Sequence, residues 1–185
     1  MEEIIKKDLC TGCSACMNIC PKNAIKMEEN KEGFKYPVID QEKCVNCGLC
    51  DICCPVLNEE KKVEYVPQIY AANAEDEIRK KSSSGGIFTV LAEKVLENGG
   101  YVCGASFTED FFGVEHIIVD SVEGLEKLRS SKYVQSDTKN TFREIKKLLE
   151  DGKEVLFAGC PCQVAGIKSF FGNEYDQLFN IDLIC

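Results

Sequence analysis

The chain has 185 residues, 22 basic and 31 acidic, for a formal charge of −9. That balance opposes the counterion release that drives binding to phosphate backbones, and no basic stretch with interleaved aromatics offsets it, so nucleic-acid binding is excluded. No apolar run approaches the length of a membrane span, residues 1–9 lack the apolar stretch of a secretion signal, and 44% hydrophobic residues supply a core, so a soluble globular protein is expected.

The first chemistry met along the chain is a repeated cysteine run. Cys10, Cys13, Cys16, Cys20 and Pro21 form C-x2-C-x2-C-x3-C-P, and Cys44, Cys47, Cys50, Cys54 and Pro55 repeat it. This is the bacterial-ferredoxin spacing, in which three thiolates come from one loop and the fourth serves the other cluster. The expected ligand sets are therefore Cys10, Cys13, Cys16 and Cys54 for one 4Fe-4S cluster, and Cys44, Cys47, Cys50 and Cys20 for the second. Structural zinc would leave the third and fourth members of each run without a role, and a disulfide framework would call for a secretion signal. Cys53 falls outside the pattern and reads as a small buried thiol. Short segments around Ala24, Ile25 and Met27, and around Tyr36, Pro37, Val38 and Ile39, complete two half-domains of an α+β ferredoxin-like fold. The charged stretch 58–67 reads as a linker, dividing the chain into a 2x[4Fe-4S] ferredoxin domain (1–62) and a second domain (63–185). Iron-sulfur ligation and free thiols imply a reducing compartment, the cytoplasm.

Beyond the linker the pattern turns to alternating strands and helices. Residues 70–74 read as a strand and 75–81 as a charged helix. Residues 87–98 form an amphipathic helix with Phe88, Leu91, Ala92, Val95 and Leu96 on one side, ended by Gly99 and Gly100. Strands are expected at 101–107 and 114–119, helices at 122–129 and 141–150, a buried strand at 155–158, a helix from Pro161 to about 170 and a last strand at 178–184. Such alternation predicts an α/β layer with a mainly parallel sheet. Ser82, Ser83, Ser84, Gly85 and Gly86 precede a helix, a place where free N–H groups bind phosphate but where a serine cap with turn glycines serves equally well. Cys160, Pro161 and Cys162 lie at a strand-to-helix turn, as reactive or ligating thiols or as a buried structural pair. Cys103 reads as a buried strand thiol and His116 as a structural residue.

Taken together, the double cysteine run, Arg79 with Ser82-Ser83-Ser84-Gly85-Gly86-Ile87-Phe88, then Ser131-Lys132-Tyr133-Val134-Gln135-Ser136, then Gly159-Cys160-Pro161-Cys162-Gln163-Val164-Ala165-Gly166, resemble the coenzyme F-420 hydrogenase/dehydrogenase beta-subunit family. The resemblance covers nearly the whole chain. It implies an N-terminal ferredoxin module joined to an α/β flavin-type domain, with FAD contacts from Ser82, Ser83, Ser84, Gly85 and Gly86 and from Lys132, Tyr133, Val134, Gln135 and Ser136. It also implies a third 4Fe-4S cluster held by Cys162 and Cys185. Position 160 departs from the family's commoner Thr. The family's flavin domain is longer than the stretch after Pro67, so a truncated sequence is expected, lacking part of the sheet and of the flavin site.

The function so implied is an iron-sulfur flavoprotein oxidoreductase subunit that passes electrons between 4Fe-4S clusters, FAD and a two-electron acceptor such as the deazaflavin coenzyme F-420. Its partner would be a ferredoxin, hydrogenase or dehydrogenase. The alternative is a non-enzymatic two-cluster electron-transfer or docking protein. A fragment with no activity of its own is a third reading, and bound flavin separates the first two.

Overall fold

The computed structural model describes residues 4–58 and 66–184. Most of the expected linker and Cys185, the second thiol assigned to a third cluster, lie outside the described residues.

The cysteine-rich part is built as a repeat. Helix α1 (Ala15–Ile19) begins one residue before the third cysteine of the first run, Cys16, and α2 (Leu49–Ile52) one residue before Cys50 in the second. Between them β1 (Ile25–Glu29) and β2 (Lys35–Ile39) pair antiparallel, with Ile25 opposite Ile39 and Glu29 opposite Lys35. Pro37 is tolerated because this sheet has only two strands, leaving each with an open edge. In both cysteine loops the left-handed backbone falls at matching places, Gly12 and Ser14 in the first and Asn46 and Gly48 in the second. These turns coil each loop tightly enough for three thiols to face one space.

The remainder is a four-stranded sheet with helices on both faces. Helices α3 (Asp76–Lys80) and α4 (Ile87–Glu97) lead into β3 (Tyr101–Phe107) and β4 (Val114–Val119). Then follow α5 (Val122–Leu125), α6 (Thr141–Glu150), β5 (Val155–Gly159), α7 (Pro161–Phe171) and β6 (Leu178–Asp182). The strand order is β4-β3-β5-β6. Strands β3, β5 and β6 are parallel and β4 is an antiparallel edge, in keeping with the mainly parallel sheet expected.

Alternation along the strands separates two cores. Val102 and Leu156 point to the side covered by Ala92 and Val95 of α4 and by Leu125. Cys103, Val155 and Phe157 point to the other side, against Phe142, Ile145 and Leu149 of α6 and Val164, Ile167 and Phe170 of α7. This second core continues into the ferredoxin part through Cys13, Ala15 and Cys53.

Three element expectations are corrected. Residues 70–74 form no strand: Ile69 and Tyr70 are almost fully exposed, and the segment is tied down at its end by the Ala74 N–H donating to the Gly85 carbonyl. The helix expected at 122–129 stops at Leu125, after which Lys127 and Leu128 donate to carbonyls three residues back in tighter turns. On α4, Leu91 is exposed and Thr89 is buried instead, because the helix turns its Thr89, Ala92 and Val95 line to the sheet.

Candidate iron-sulfur centres and the adjoining sheet edge

Each cysteine run contributes three thiols to one cavity and one thiol to the other. One cavity is lined by Cys10, Cys13, Cys16 and Cys54, together with Ile4, Ile5, Met27, Pro37 and Val56. The other is lined by Cys44, Cys47, Cys50 and Cys20, with Ile25, Ile39, Val45 and Leu49. Pro21 and Lys22 close the latter. Each cavity thus gathers the four thiols that the spacing assigns to one cluster.

The donor chemistry fits a four-iron cubane. Among the described residues no three His, Cys, Asp or Glu side chains converge on a single ion, whereas each cavity sets four thiols around a space. A cubane takes one thiolate on each of four separate irons, so its ligands stand apart in this way. None of the described cysteines is in a disulfide. Burial pushes the Cys13 thiol up to about 11, and Cys16 is raised further by burial and then by Cys13 and Cys53 nearby. Backbone N–H groups work the other way, that of Gly12 on Cys10, of Ala15 on Cys13 and of Met17 on Cys16. The Ala24 N–H donates to Cys20 Sγ at 3.3 Å. Such N–H to sulfur contacts favour thiolate and are among the groups that set a cluster's potential. When bound, the irons supply the positive charge that offsets burial and allow one-electron transfer.

The structure also shows what sequence reasoning missed, a clamp from the α/β layer onto the ligand backbone. Arg143 of α6 donates from Nε to the Asn18 carbonyl (2.5 Å), and from Nη2 to the carbonyls of Met17 (3.1 Å) and Cys20 (2.6 Å). Its Nη1 reaches Asn23 Oδ1 at 2.5 Å. These carbonyls close the C-terminal end of α1, where backbone acceptors lack helical partners and a cation is favoured. Cys20 is thereby held by a residue 123 positions away, a separation no local motif signals. Asn18 Nδ2 adds a bond to the Lys139 carbonyl at 2.9 Å. Lys35 donates through its N–H to Gln135 Oε1 (3.0 Å) and through Nζ to Asp137 (2.7 Å).

Of the residues expected to contact flavin, Lys132 and Ser136 lie at the carboxyl end of β3 and β5. Ser131 N–H donates to Ser83 Oγ at 2.9 Å, joining the serine loop to the 131–136 segment. Lys132 Nζ lies 5.9 Å from the ring centroid of Phe107, the last residue of β3. Gln163 Nε2 donates to Ser136 Oγ (2.9 Å) while its Oε1 accepts from the Cys160 N–H (3.0 Å), capping α7 at the end of β5. The carboxyl ends of parallel strands are where ligands bind in open α/β sheets. Several side chains are engaged internally, however. Ser82 Oγ donates to the Ile78 carbonyl, and Lys132 Nζ donates to the carbonyls of Lys127 and Arg129. Burial brings Lys132 down to about 8. A Cβ on Gly86 would meet Ala74 and Ile78, so the fold itself asks for glycine there. Ser84, Tyr133 and Val134 are exposed, Gln135 faces the ferredoxin part, and Cys160 and Cys162 are half-buried at the start of α7.

The other singled-out residues lie in the interior. His116 is buried, stacks on Phe157 and sits with Nε2 3.1 Å from the Ala158 carbonyl. That carbonyl can only accept, which assigns the ring proton to Nε2. Cys103 is fully buried, and burial raises its thiol well above the ordinary range; Cys53, also buried, is pushed up to about 12.

Comparison with known proteins agrees with the resemblance read from the residues. Residues 9–58 match the family model of a 4Fe-4S dicluster domain, and residues 69–142 match that of coenzyme F420 hydrogenase/dehydrogenase, beta subunit N-term. The chain is 24% identical to a subunit of the F(420)H(2) dehydrogenase of Methanosarcina mazei, over 99% of this chain and 55% of that one. It is also 24% identical to the coenzyme F420-dependent sulfite reductase of Methanocaldococcus jannaschii, over 99% of this chain and 28% of the relative. The chain thus spans about half the length of the first relative and under a third of the second. A chain of the F420-reducing [NiFe] hydrogenase complex from Methanosarcina barkeri shares the fold over 62% of this chain and 42% of its own, with a TM-score of 0.51 and 22% identity. No helix among the described residues is long and apolar enough to cross a membrane.

Proposed function

We propose that this chain, a 4Fe-4S dicluster domain followed by the N-terminal domain of the F420 hydrogenase/dehydrogenase beta-subunit family, is an electron-transferring oxidoreductase subunit acting in the cytoplasm. Cys10, Cys13, Cys16 and Cys54 hold one cubane, and Cys44, Cys47, Cys50 and Cys20 the other. The observation that carries this reading is the pair of cavities, each lined by three thiols of one run and the last thiol of the other. In the same reading the serine loop and residues 132–136 would hold FAD, which would supply the pairing of single electrons for a two-electron acceptor of the deazaflavin class. A third cluster on Cys162 and Cys185 belongs to the same reading, as does a partner subunit that delivers or removes electrons. The modules are taken to divide near residue 62.

The two cysteine runs within residues 1–62 are expected to hold about eight irons and eight sulfides after anaerobic reconstitution. Replacing Cys20 with Ala should damage the cluster of Cys44, Cys47 and Cys50. Damage confined to the Cys10, Cys13 and Cys16 cluster would overturn the crossed assignment.

The internal bonds of Ser82 and Lys132 favour the second reading, an electron-transfer protein without flavin. Extraction of FAD from an iron-replete preparation supports the first reading, and its absence from one carrying both clusters supports the second.

A further inference from the structure

Helix α7 carries a glycine, Gly166, at its middle, where glycine is less favourable than alanine. The reason lies in the ferredoxin part. A Cβ on Gly166 would stand 2.9 Å from Cys13 Cβ and 3.1 Å from its Sγ, so the helix backbone is in direct contact with a ligand cysteine. Around that contact, Cys13, Ala15 and Cys53 share one core with Val164, Ile167 and Phe170 of α7. Among the described residues no glycine backbone abuts the other cysteine ring, whose tie to the α/β layer is the Arg143 bond to the Cys20 carbonyl. Cys20, Cys44 and Cys50 pack with Ile4, Ala24 and Ile25 in a core that meets the ring of Cys13 at Cys16, Cys47 is exposed, and the lining residue Val45 is 57% exposed.

The first turn of α7 completes the arrangement. Cys162 and Gly166 are four residues apart and therefore lie on one face of the helix, about 6 Å along its axis. The face that touches Cys13 is thus the face that carries Cys162, where α7 leaves the end of β5.

We infer that the two thiolate rings stand in series, with the Cys10, Cys13, Cys16 and Cys54 ring as the inner one, seated on α7 by Gly166, through which electrons pass between the ferredoxin part and the α/β layer. The Cys20, Cys44, Cys47 and Cys50 ring is the outer port. This rests on the two-cluster reading proposed above. In the direction of reduction, a one-electron protein donor is oxidised at the outer ring, and an acceptor on the α/β layer is reduced by one electron through the inner ring. No bond or proton changes hands. Gly166 is a positioning residue that fixes the distance between the inner ring and α7.

The test compares EPR spectra of the dithionite-reduced, reconstituted full chain in four forms: wild type, Gly166→Ala, Cys13→Ser and, as a control on the exposed side of α7, Lys168→Ala. Cys13→Ser identifies the inner cluster as the half of the signal that it alters. Gly166→Ala is expected to shift the g-values of that same half and leave the other unchanged, with Lys168→Ala resembling wild type. A Gly166→Ala spectrum identical to wild type, or altered only in the half that Cys13→Ser leaves intact, would overturn the serial order. Hydrogen exchange along residues 161–171 supplies a second readout that needs no change in α7. Protection there should fall at least several-fold in Cys13→Ser and stay at the wild-type level in Cys47→Ser, and equal loss in both also overturns the order. Iron far below eight per wild-type chain would instead overturn the two-cluster reading itself.

Discussion

Arg143 illustrates how much one side chain decides at the junction of the two parts. Its guanidinium gives fixed, planar donors to three backbone carbonyls and the Asn23 side chain, a fork that a lysine ammonium cannot reproduce. Hydrogen bonds from a charged donor contribute about 1.5–3 kcal/mol. Arg143→Ala is accordingly expected to lower unfolding stability by roughly that amount and to speed iron loss from the ring containing Cys20, with Arg143→Lys restoring only part. Equilibrium denaturation and iron release to a chelator measure both effects. His116 makes a second prediction at this scale. Burial brings its pKa down from 6.5 to about 4, so the folded state holds it neutral while the unfolded state binds a proton. Its stabilising contribution is present above the unfolded pKa of 6.5 and is lost as pH falls towards 4. Stability measured across that window should fall as pH drops, and His116→Gln should flatten the dependence by about one proton.

At the scale of elements, the serine loop and α4 show where a motif stops being informative. The pattern of serines and glycines before a helix was legible, and so was the helix. The choice between phosphate site and turn depended on neighbours that the sequence does not place, Ala74 and Ile78 against Gly86 and Ser131 against Ser83. A substitution at Gly86 would disturb this packing whether or not flavin binds. The flavin contact is better tested at exposed Ser84. A carboxylate there repels a phosphate while remaining compatible with the positive end of α4. Ser84→Asp is expected to weaken FAD binding at least tenfold and to leave both clusters intact, as checked by flavin extraction and EPR. Unchanged FAD would remove the loop from the flavin site. Strands β3 and β4 and helix α6 match their expected bounds because alternation and the Asp151-Gly152 stop are strong local signals. Residues 70–74 misled because Tyr70 is the one strong β-former in Tyr70-Ala71-Ala72-Asn73-Ala74, and among the described residues no strand pairs with the segment.

For the whole molecule, the cysteine spacing made the two thiolate sites legible, since ligation imposes a pattern short enough to survive in sequence. Their seating on the α/β layer was not legible. It depends on contacts such as Asn18 with Lys139 and Lys35 with Asp137, more than a hundred residues apart. One consequence concerns Phe142, which is fully buried and packs edge-on against Phe157. It belongs to the core that also contains Cys13 and Ala15, so a cavity made in α6 is felt at the first cysteine loop. Truncating a buried Phe to Ala costs about 3–5 kcal/mol, partly because surrounding groups collapse only incompletely. Phe142→Ala should therefore release iron from the Cys10, Cys13, Cys16 and Cys54 ring sooner than from the other, although residue 142 lies in the α/β layer. Iron removal from the wild-type chain should act in the opposite direction, increasing hydrogen exchange in α6 and α7 as the first loop loosens. Time-resolved iron release to a chelator, followed by EPR of the clusters that remain, measures the first effect. Simultaneous loss from both rings at the wild-type rate would show that the shared core does not couple the two parts.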